Sequence, residues 1–404
     1  MASTGKLHFH DLIFSVYLPS ILMSIGQMAL VFILPLYILD RGDGLSTAAL
    51  VFAMRSLGST LVNIPASLSI ARFGIRANML AGIFMIGMAA MLIAIVNSPW
   101  LIAASTLLFG AGMGTWLLSR LSFITQQVIA TERGKSMATL AGIQRVGLLI
   151  GPVVGGISAA SLGFKWVFVF IALCALSNLL LVLSFSQAGR GNAPAHTVNS
   201  NPPKASDLYT LLPKILYRYR HIFLGAGIYV FCLQMVREQR HLLITLWGAF
   251  INLNPDTIGL IVSGAALLDL SMTPLAGMIM DSQGRKITGV SSIVILACAL
   301  GLLSLTSSLP LYLTVVLIAA MGNGLGSGIM LTLGSDLAPE QDSSQFLGVW
   351  RIFSDMGAFS GPAFTSICPS LSLALLSTAA MGLLGGLALY FRVAETLPAR
   401  ATPG

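Results

Sequence analysis

The chain holds 404 residues, of which 56% are hydrophobic and 9% charged, with a formal net charge of +8. A soluble globule carries about 25% charged residues, so one large water-soluble core is excluded. The apolar residues fall in blocks of roughly 20, the length that crosses a hydrocarbon layer of about 30 Å, and the expectation is an all-α integral membrane protein with twelve transmembrane helices in two pseudo-symmetric six-helix bundles.

Charged or turn-rich breaks predict six spans in the first half, over 12–39, 47–70, 77–96, 100–124, 137–160 and 165–185. No small-residue cleavage site follows the first apolar run at the usual distance, so that run is read as a retained helix and not a signal peptide. The stretch SQAGRGNAPAHTVNSNPPKASD is polar and rich in Pro, Asn and Ser, the composition of a linker. Six more spans follow, over 222–250, 257–280, 287–306, 311–333, 346–366 and 371–391. The domain reading is an N-terminal bundle over 1–186, a cytoplasmic linker over 187–220 and a C-terminal bundle over 221–404. Cys174, Cys232, Cys298 and Cys368 each sit alone in an apolar run, without metal-ligand or disulfide-framework spacing, and read as packing residues.

Lys and Arg orient the chain. With the N-terminus inside, the inner side collects Lys6, Arg72, Arg76, Arg133, Lys135, Arg190, Lys204, Lys214, Arg218, Arg220, Arg285, Lys286, Arg392 and Arg400, while the outer loops keep Arg41 and Lys165. This positive-inside bias puts both termini and the linker in the cytoplasm of a bacterial inner membrane. It accounts for the basic balance without a nucleic-acid partner.

The two halves resemble each other. FGAGMG at 109–114 matches MGNGLG at 321–326, GIQR at 142–145 matches GVWR at 348–351, and GLLIGP at 147–152 matches GAFSGP at 357–362. Duplication of a six-helix unit is a transporter signature. No nucleophile–base pair, metal cluster or phosphate loop is present, which argues against an enzyme, and no cofactor is expected. GNGLGSG lies inside an apolar span rather than after a strand, so it is not a nucleotide loop.

Six arginines remain inside the spans, Arg55, Arg120, Arg145, Arg237, Arg240 and Arg351, against three acids, Glu238, Asp269 and Asp355. Each such charge costs about 2.5–3.5 kcal/mol at a helix centre on insertion scales, and so requires a partner or water. Arg237 and Arg240 are three apart and share a helix face. Two like charges repel in low dielectric unless an anion lies between them, and the guanidinium fork suits carboxylate or phosphate. The competing reading pairs one of them with Asp269 as a structural bridge. Arg351 and Asp355 are four apart and can pair within one helix. Arg145 and Arg351 hold matching repeat positions, which points to scaffold or gating as much as to substrate. Arg120 has no acid within a turn and either snorkels inward or helps bind an anion, and Arg55 reads as a gate or surface residue. The candidate substrate contacts are Arg237, Arg240, Arg120, Gln239, Gln27, Arg145 and Arg351. Arginine does not release its proton, so proton coupling falls to Glu238 and Asp269, then Asp355 and His241. Asp336 reads as a helix-end or gate group.

GMIMDSQGRK, Gly277 to Lys286, resembles the G-x-x-x-D-x-x-G-R-K loop signature of the major facilitator superfamily, with Gly277, Asp281, Gly284, Arg285 and Lys286 in place. Its first-half counterpart SLSIARFGIR keeps Arg72, Gly74 and Arg76 but has Ala71 where the family has Asp. GLLIGPVVGG, with Gly147, Gly151, Pro152, Gly155 and Gly156, is similar to the antiporter motif of that superfamily's twelve-span drug–proton antiporters. Thr106 stands where span four of such exporters often carries an arginine.

The resemblance implies that the loops latch the two states of alternating access. It also implies that spans three, six, nine and twelve are outer supports and that the charged spans line or border a central cavity. The reading is a proton-coupled exporter of a small organic anion, acting as a monomer in the lipid bilayer, with a small-molecule substrate and protons as partners. The alternatives are proton-coupled uptake or exchange of such an anion and, from another class, a receptor or scaffold without transport.

Overall fold

The computed structural model describes residues 12–129, 131–185 and 213–397. Most of the expected linker lies outside these residues, as do Lys6, Arg190, Lys204 and Arg400. The first half gives α1 (Leu18–Asp40), α2 (Leu45–Phe73), α3 (Ile75–Ile95), α4 (Pro99–Gln127), α5 (Arg133–Leu162) and α6 (Phe164–Phe185). The second gives α7 (Ile228–Phe250), α8 (Pro255–Ser282), α9 (Arg285–Leu303), α10 (Leu309–Leu325), α11 (Ile329–Leu337), α12 (Ser343–Thr365) and α13 (Leu371–Arg392).

Among the described residues, ten helices are long and apolar enough to cross a membrane, counting α10 and α11 as one. The other two long helices are α7 and α12, each of 23 residues. They are long enough to span but carry Arg237, Glu238 and Arg240, and Arg351 and Asp355. A helix pays for such charge in lipid, so these two mark where polar work is done. Both first helices of the halves, α1 and α7, are entered through a single π turn, Ile13–Tyr17 and Phe223–Gly227.

Span ten departs from the expected continuous helix. The run Gly326–Gly328 breaks it into α10 and α11, with Gly328 at φ +85°, a left-handed conformation that favours glycine. The glycine-rich run inside this apolar span thus interrupts the helical backbone ladder.

The described helices fall into two compact units. One holds α1–α6 together with Asn252–Ser263, and the other holds the described residues up to Ile251 and from Gly264 onward. In the first unit Leu12, Val16, Tyr17, Ile124, Val128, Leu140 and Ile143 form a buried apolar cluster. In the second, Phe223 stacks on Phe346 and Phe353 at centroid distances of 4.9 and 5.3 Å, beside buried Trp350. The cysteines are free.

Each unit repeats the other's packing in detail. A Cβ on Gly114 would meet Val62 and the Ser59 carbonyl, and one on Gly324 would meet Met272 and the Asp269 carbonyl. A Cβ on Gly112 would meet Met85 and Ile86, and one on Gly322 would meet Ile295 and Leu296. Every one of these pairs is 210 residues apart. The register therefore aligns Gly112 with Gly322 and corrects the sequence match by one pair of residues, because glycines two apart fit a repeat equally well until their neighbours are known. In this register Ser59 stands where the second unit has Asp269.

Candidate functional site

The second unit concentrates its polar groups on α7. Arg240 Nη1 lies 3.2 Å from Asp269 Oδ2 of α8, and both side chains are nearly buried. Asn323 Nδ2 of α10 donates to the same oxygen at 2.6 Å. One acid thus takes an ion pair and an amide, which fixes α7, α8 and α10 to one another. Arg237 does not join this pair. Its Nη2 donates to the Gly326 carbonyl at 2.8 Å and its Nη1 lies 3.6 Å from Met330 Sδ, so it spans the break between α10 and α11. The two arginines share a helix face but have separate partners.

Gln239 is fully buried. Its Nε2 donates to the Gly361 carbonyl at 2.8 Å, and its amide and the Thr365 hydroxyl bond each other, a strut from α7 to α12. Glu238 and His241 are half-buried on α7. Arg351 Nε and Asp355 Oδ1 are 3.4 Å apart on α12, and the arginine is largely exposed. Arg145 is half-buried on α5.

The first unit holds a different kind of site. A cavity of about 70 Å³ is walled by α1, α2, α4 and α5 and lined by Ser20, Ser24, Gln27, Arg55, Ser59, Trp116, Arg120 and Gln144, with Met23, Gly110, Met113 and Leu117. Arg120 is 4% exposed and Trp116 1%. Among the described residues no hydrogen-bond partner reaches Arg120 Nε or Trp116 Nε1, and no ion pair reaches the Arg120 guanidinium. Arg55 lies over the Phe52 ring at 5.3 Å, and its Nη2 is 3.5 Å from Ser56 Oγ. The cavity lining thus holds Arg120, Gln27 and Arg55 from the sequence expectations; Arg145, Arg237, Gln239, Arg240 and Arg351 are not among its lining residues. Trp116 was missed. It sits four residues before Arg120, one turn away on the same face, which is the signal that could have found it.

A family model described as Major Facilitator Superfamily matches residues 16–251 and 222–404. The chain belongs to the Major Facilitator Superfamily. A protein of Lactococcus lactis subsp. lactis (strain IL1403) named multi-drug resistance efflux pump PmrA homolog is 23% identical over 341 residues, 81% of each chain. Riboflavin transporter RibZ of Clostridioides difficile (strain 630) is 21% identical over 61% of this chain and 62% of that protein. Among solved structures, a POT peptide transporter in complex with sulfate superposes with a TM-score of 0.76 at 13% identity, over 96% of each chain. A D-xylose-proton symporter superposes at 0.68 and 17%, over 95% of this chain and 98% of that one. At these identities the structural likeness shows the fold. The chain is a multi-pass membrane protein and a secondary transporter of small molecules, not an enzyme.

The superfamily's antiporter motif has a plain structural reading here. Gly147, Gly151 and Gly155 repeat every four residues along one face of α5 and lie on Ser24, Met28 and Ile33 of α1. A Cβ on Gly151 would stand 2.6 Å from Met28 Cβ. Gly156 turns to a different neighbour, the Pro255 carbonyl, 2.5 Å from where its Cβ would be, in the turns of α8 that belong to the first unit. Pro152 lies within α5, and its carbonyl meets Gly259. In the second unit Gly357 and Gly361 lie on Phe231 and Met235 of α7, the same contact repeated.

The loop signature between α8 and α9 is held by a residue the sequence reading did not name. The Glu395 carboxylate, three residues past α13, accepts from the backbone N–H groups of Arg285 at 2.8 Å and Lys286 at 3.0 Å, and from Thr396 and Leu397. Burial alone would raise its pKa; these four N–H groups outweigh it and hold the carboxyl below its ordinary value. Gly284 sits at φ +107°, and a side chain there would run into that carboxylate. Arg285 Nε donates to Asp336 Oδ2 at 3.1 Å, its Nη1 is 3.6 Å from Asp281, and Asp336 also accepts from Thr396 Oγ1 at 2.9 Å. Lys286 lies over the Tyr390 ring. Gly277 has open space where a Cβ would go. In the loop with Ala71, Arg72 lies over Phe73 at 5.2 Å, Arg76 donates to the Leu183 carbonyl at 3.2 Å, and Gly74 has φ +85°.

Proposed function

We propose that the protein exports a small organic anion across the bacterial inner membrane in exchange for protons, by alternating access with both termini in the cytoplasm. One observation carries the charge of the cargo: Arg120 is buried in a donor-lined cavity and meets no acid among the described residues. A buried lone cation is costly, and an anionic cargo offsets that cost during transport. A pocket for cationic drugs would present carboxylates instead. Export is supported by the antiporter motif and by the relative named as an efflux pump.

Asp269 is the proposed proton site. Protonation would release Arg240 from its one carboxylate partner. That same linkage favours a second reading, because an anion that takes the place of the Asp269 carboxylate binds together with a proton, and joint binding is the thermodynamics of symport. Flux separates the two. In inverted membrane vesicles with an imposed pH gradient, acid-inside vesicles that accumulate a labelled organic acid support export by exchange. Accumulation only when the vesicle exterior is acid supports symport. Failure to move any organic anion under either gradient removes the proposal.

A further inference from the structure

We infer that the cavity walled by α1, α2, α4 and α5 is a subsite for a single oxyanion group of the cargo, gripped by the Arg120 guanidinium and the Trp116 indole N–H. The inference rests on the proposed transport of an organic anion and adds where its charged end sits. Three observations carry it.

The first is donor chemistry. Indole and guanidinium donate and do not accept. Buried polar atoms in native proteins are almost always partnered, yet Trp116 Nε1 and Arg120 Nε have no partner among the described residues, and these two residues are more than nine-tenths buried and line one cavity. Whatever satisfies both must accept hydrogen bonds, and the Arg120 charge, which meets no acid among the described residues, favours an acceptor that is negative.

The second is the internal repeat. The position that holds Asp269 in the second unit, where it neutralises Arg240, holds Ser59 in the first, and Ser59 lines this cavity. The first unit thus has no acid at the repeat position of Asp269, while its cavity carries a cation of its own, Arg120 of α4. Ser24, Gln27 and Ser59 line the same cavity with groups that can either donate or accept.

The third is size. A pocket for a whole ligand occupies about 300–1,000 Å³. The ≈ 70 Å³ here takes one carboxylate, phosphate or sulfate group and leaves the rest of the cargo outside. Water fits as well, about 30 Å³ per molecule, but it leaves the Arg120 charge uncompensated.

Thermal unfolding of the purified full-length protein in detergent tests this. Sodium acetate, phosphate and sulfate are compared with chloride at matched ionic strength, for wild type, Arg120→Gln, Trp116→Phe and a control, Lys165→Gln, at an exposed position in the first turn of α6. The expected result is a rise in the midpoint with at least one oxyanion and not with chloride, kept in K165Q, with apparent affinity weakened at least tenfold in R120Q and several-fold in W116F. Which of the three salts acts identifies the carboxylate, phosphate or sulfate source. W116F removes the N–H together with part of the indole, so its effect is read beside that of R120Q, which removes the charge and leaves the Trp116 wall in place. Equal affinity in wild type, R120Q and W116F, or a chloride response of the same size, overturns the subsite. Organic-anion flux that persists unchanged in R120Q overturns the subsite and leaves the proposed function standing. Absence of both the oxyanion shift and organic-anion flux in wild type overturns the two together.

Discussion

Arg237 on α7 donates to the Gly326 carbonyl at 2.8 Å, at the first residue past the end of α10. The end of a helix carries unsatisfied carbonyls and partial negative charge, so this guanidinium caps a broken span from a neighbouring helix. A hydrogen bond to a charged group contributes about 1.5–3 kcal/mol. Arg237→Met is expected to lower the thermal midpoint, and Arg237→Lys to restore part of the loss, because a point charge still complements the helix end. An unchanged midpoint in R237M would mean that the break needs no clip.

Asp269 neutralises Arg240 in a nearly dry setting. Removing one partner of a buried pair costs about 3–5 kcal/mol, whereas replacing both by apolar groups is often near neutral. Asp269→Asn should therefore destabilise strongly, and the double variant Arg240→Met with Asp269→Leu should recover most of the midpoint while losing proton-dependent transport. A double variant no more stable than D269N would contradict this account of the pair.

The α5 glycines separate packing from mere composition. Gly151 lies on Met28, whereas Gly142 on the same helix has open space where a Cβ would stand. Gly151→Ala is expected to destabilise by about 1–3 kcal/mol, the usual range for overpacking, and Gly142→Ala to leave the midpoint within the usual error of surface substitutions. Comparable effects at the two sites, read from thermal unfolding in detergent, would show that the close approach of α5 to α1 is unimportant.

Glu395 predicts a pH dependence. Its folded pKa lies below the ordinary value of 4.5, so its stabilising contribution is present in full above 4.5 and is lost as pH falls through the lower folded value. The midpoint difference between wild type and Glu395→Gln should be constant from about pH 6 to 8 and shrink in acid. A difference that grows on acidification has the wrong sign. Gly284→Ala should reproduce the loss at neutral pH, since the backbone there, at φ +107° and ψ 162°, is a nearly glycine-only conformation that costs another residue roughly 1–3 kcal/mol, and the new methyl meets the carboxylate.

Hydropathy made most of the spans legible, because crossing a bilayer imposes a length and a composition that survive without knowledge of partners. The α5 glycine stripe was legible for the same reason: its four-residue period is local. The Arg240–Asp269 pair stood in the sequence as one of two readings, and choosing between them required the distance. What could not be read depends on long-range approach. Glu395 meets Arg285 across 110 residues of chain, from beyond the last span. Gly326 and Gly328 look like the glycines that pack helices, and only the backbone reveals that they flank a break in one. Trp116 looks like any aromatic in an apolar run until the structure shows it lining a cavity with its buried N–H unpartnered among the described residues.

The central claim is that the cargo is anionic and that Arg120 receives its charge. The most direct measurement is transport by proteoliposomes of wild type and Arg120→Gln, with a labelled organic acid and a lipophilic cation offered side by side under the same pH gradient. The account predicts that wild type moves the acid and not the cation, and that R120Q loses at least nine-tenths of the acid flux. Transport of the cation by wild type, with R120Q as active as wild type, would contradict it.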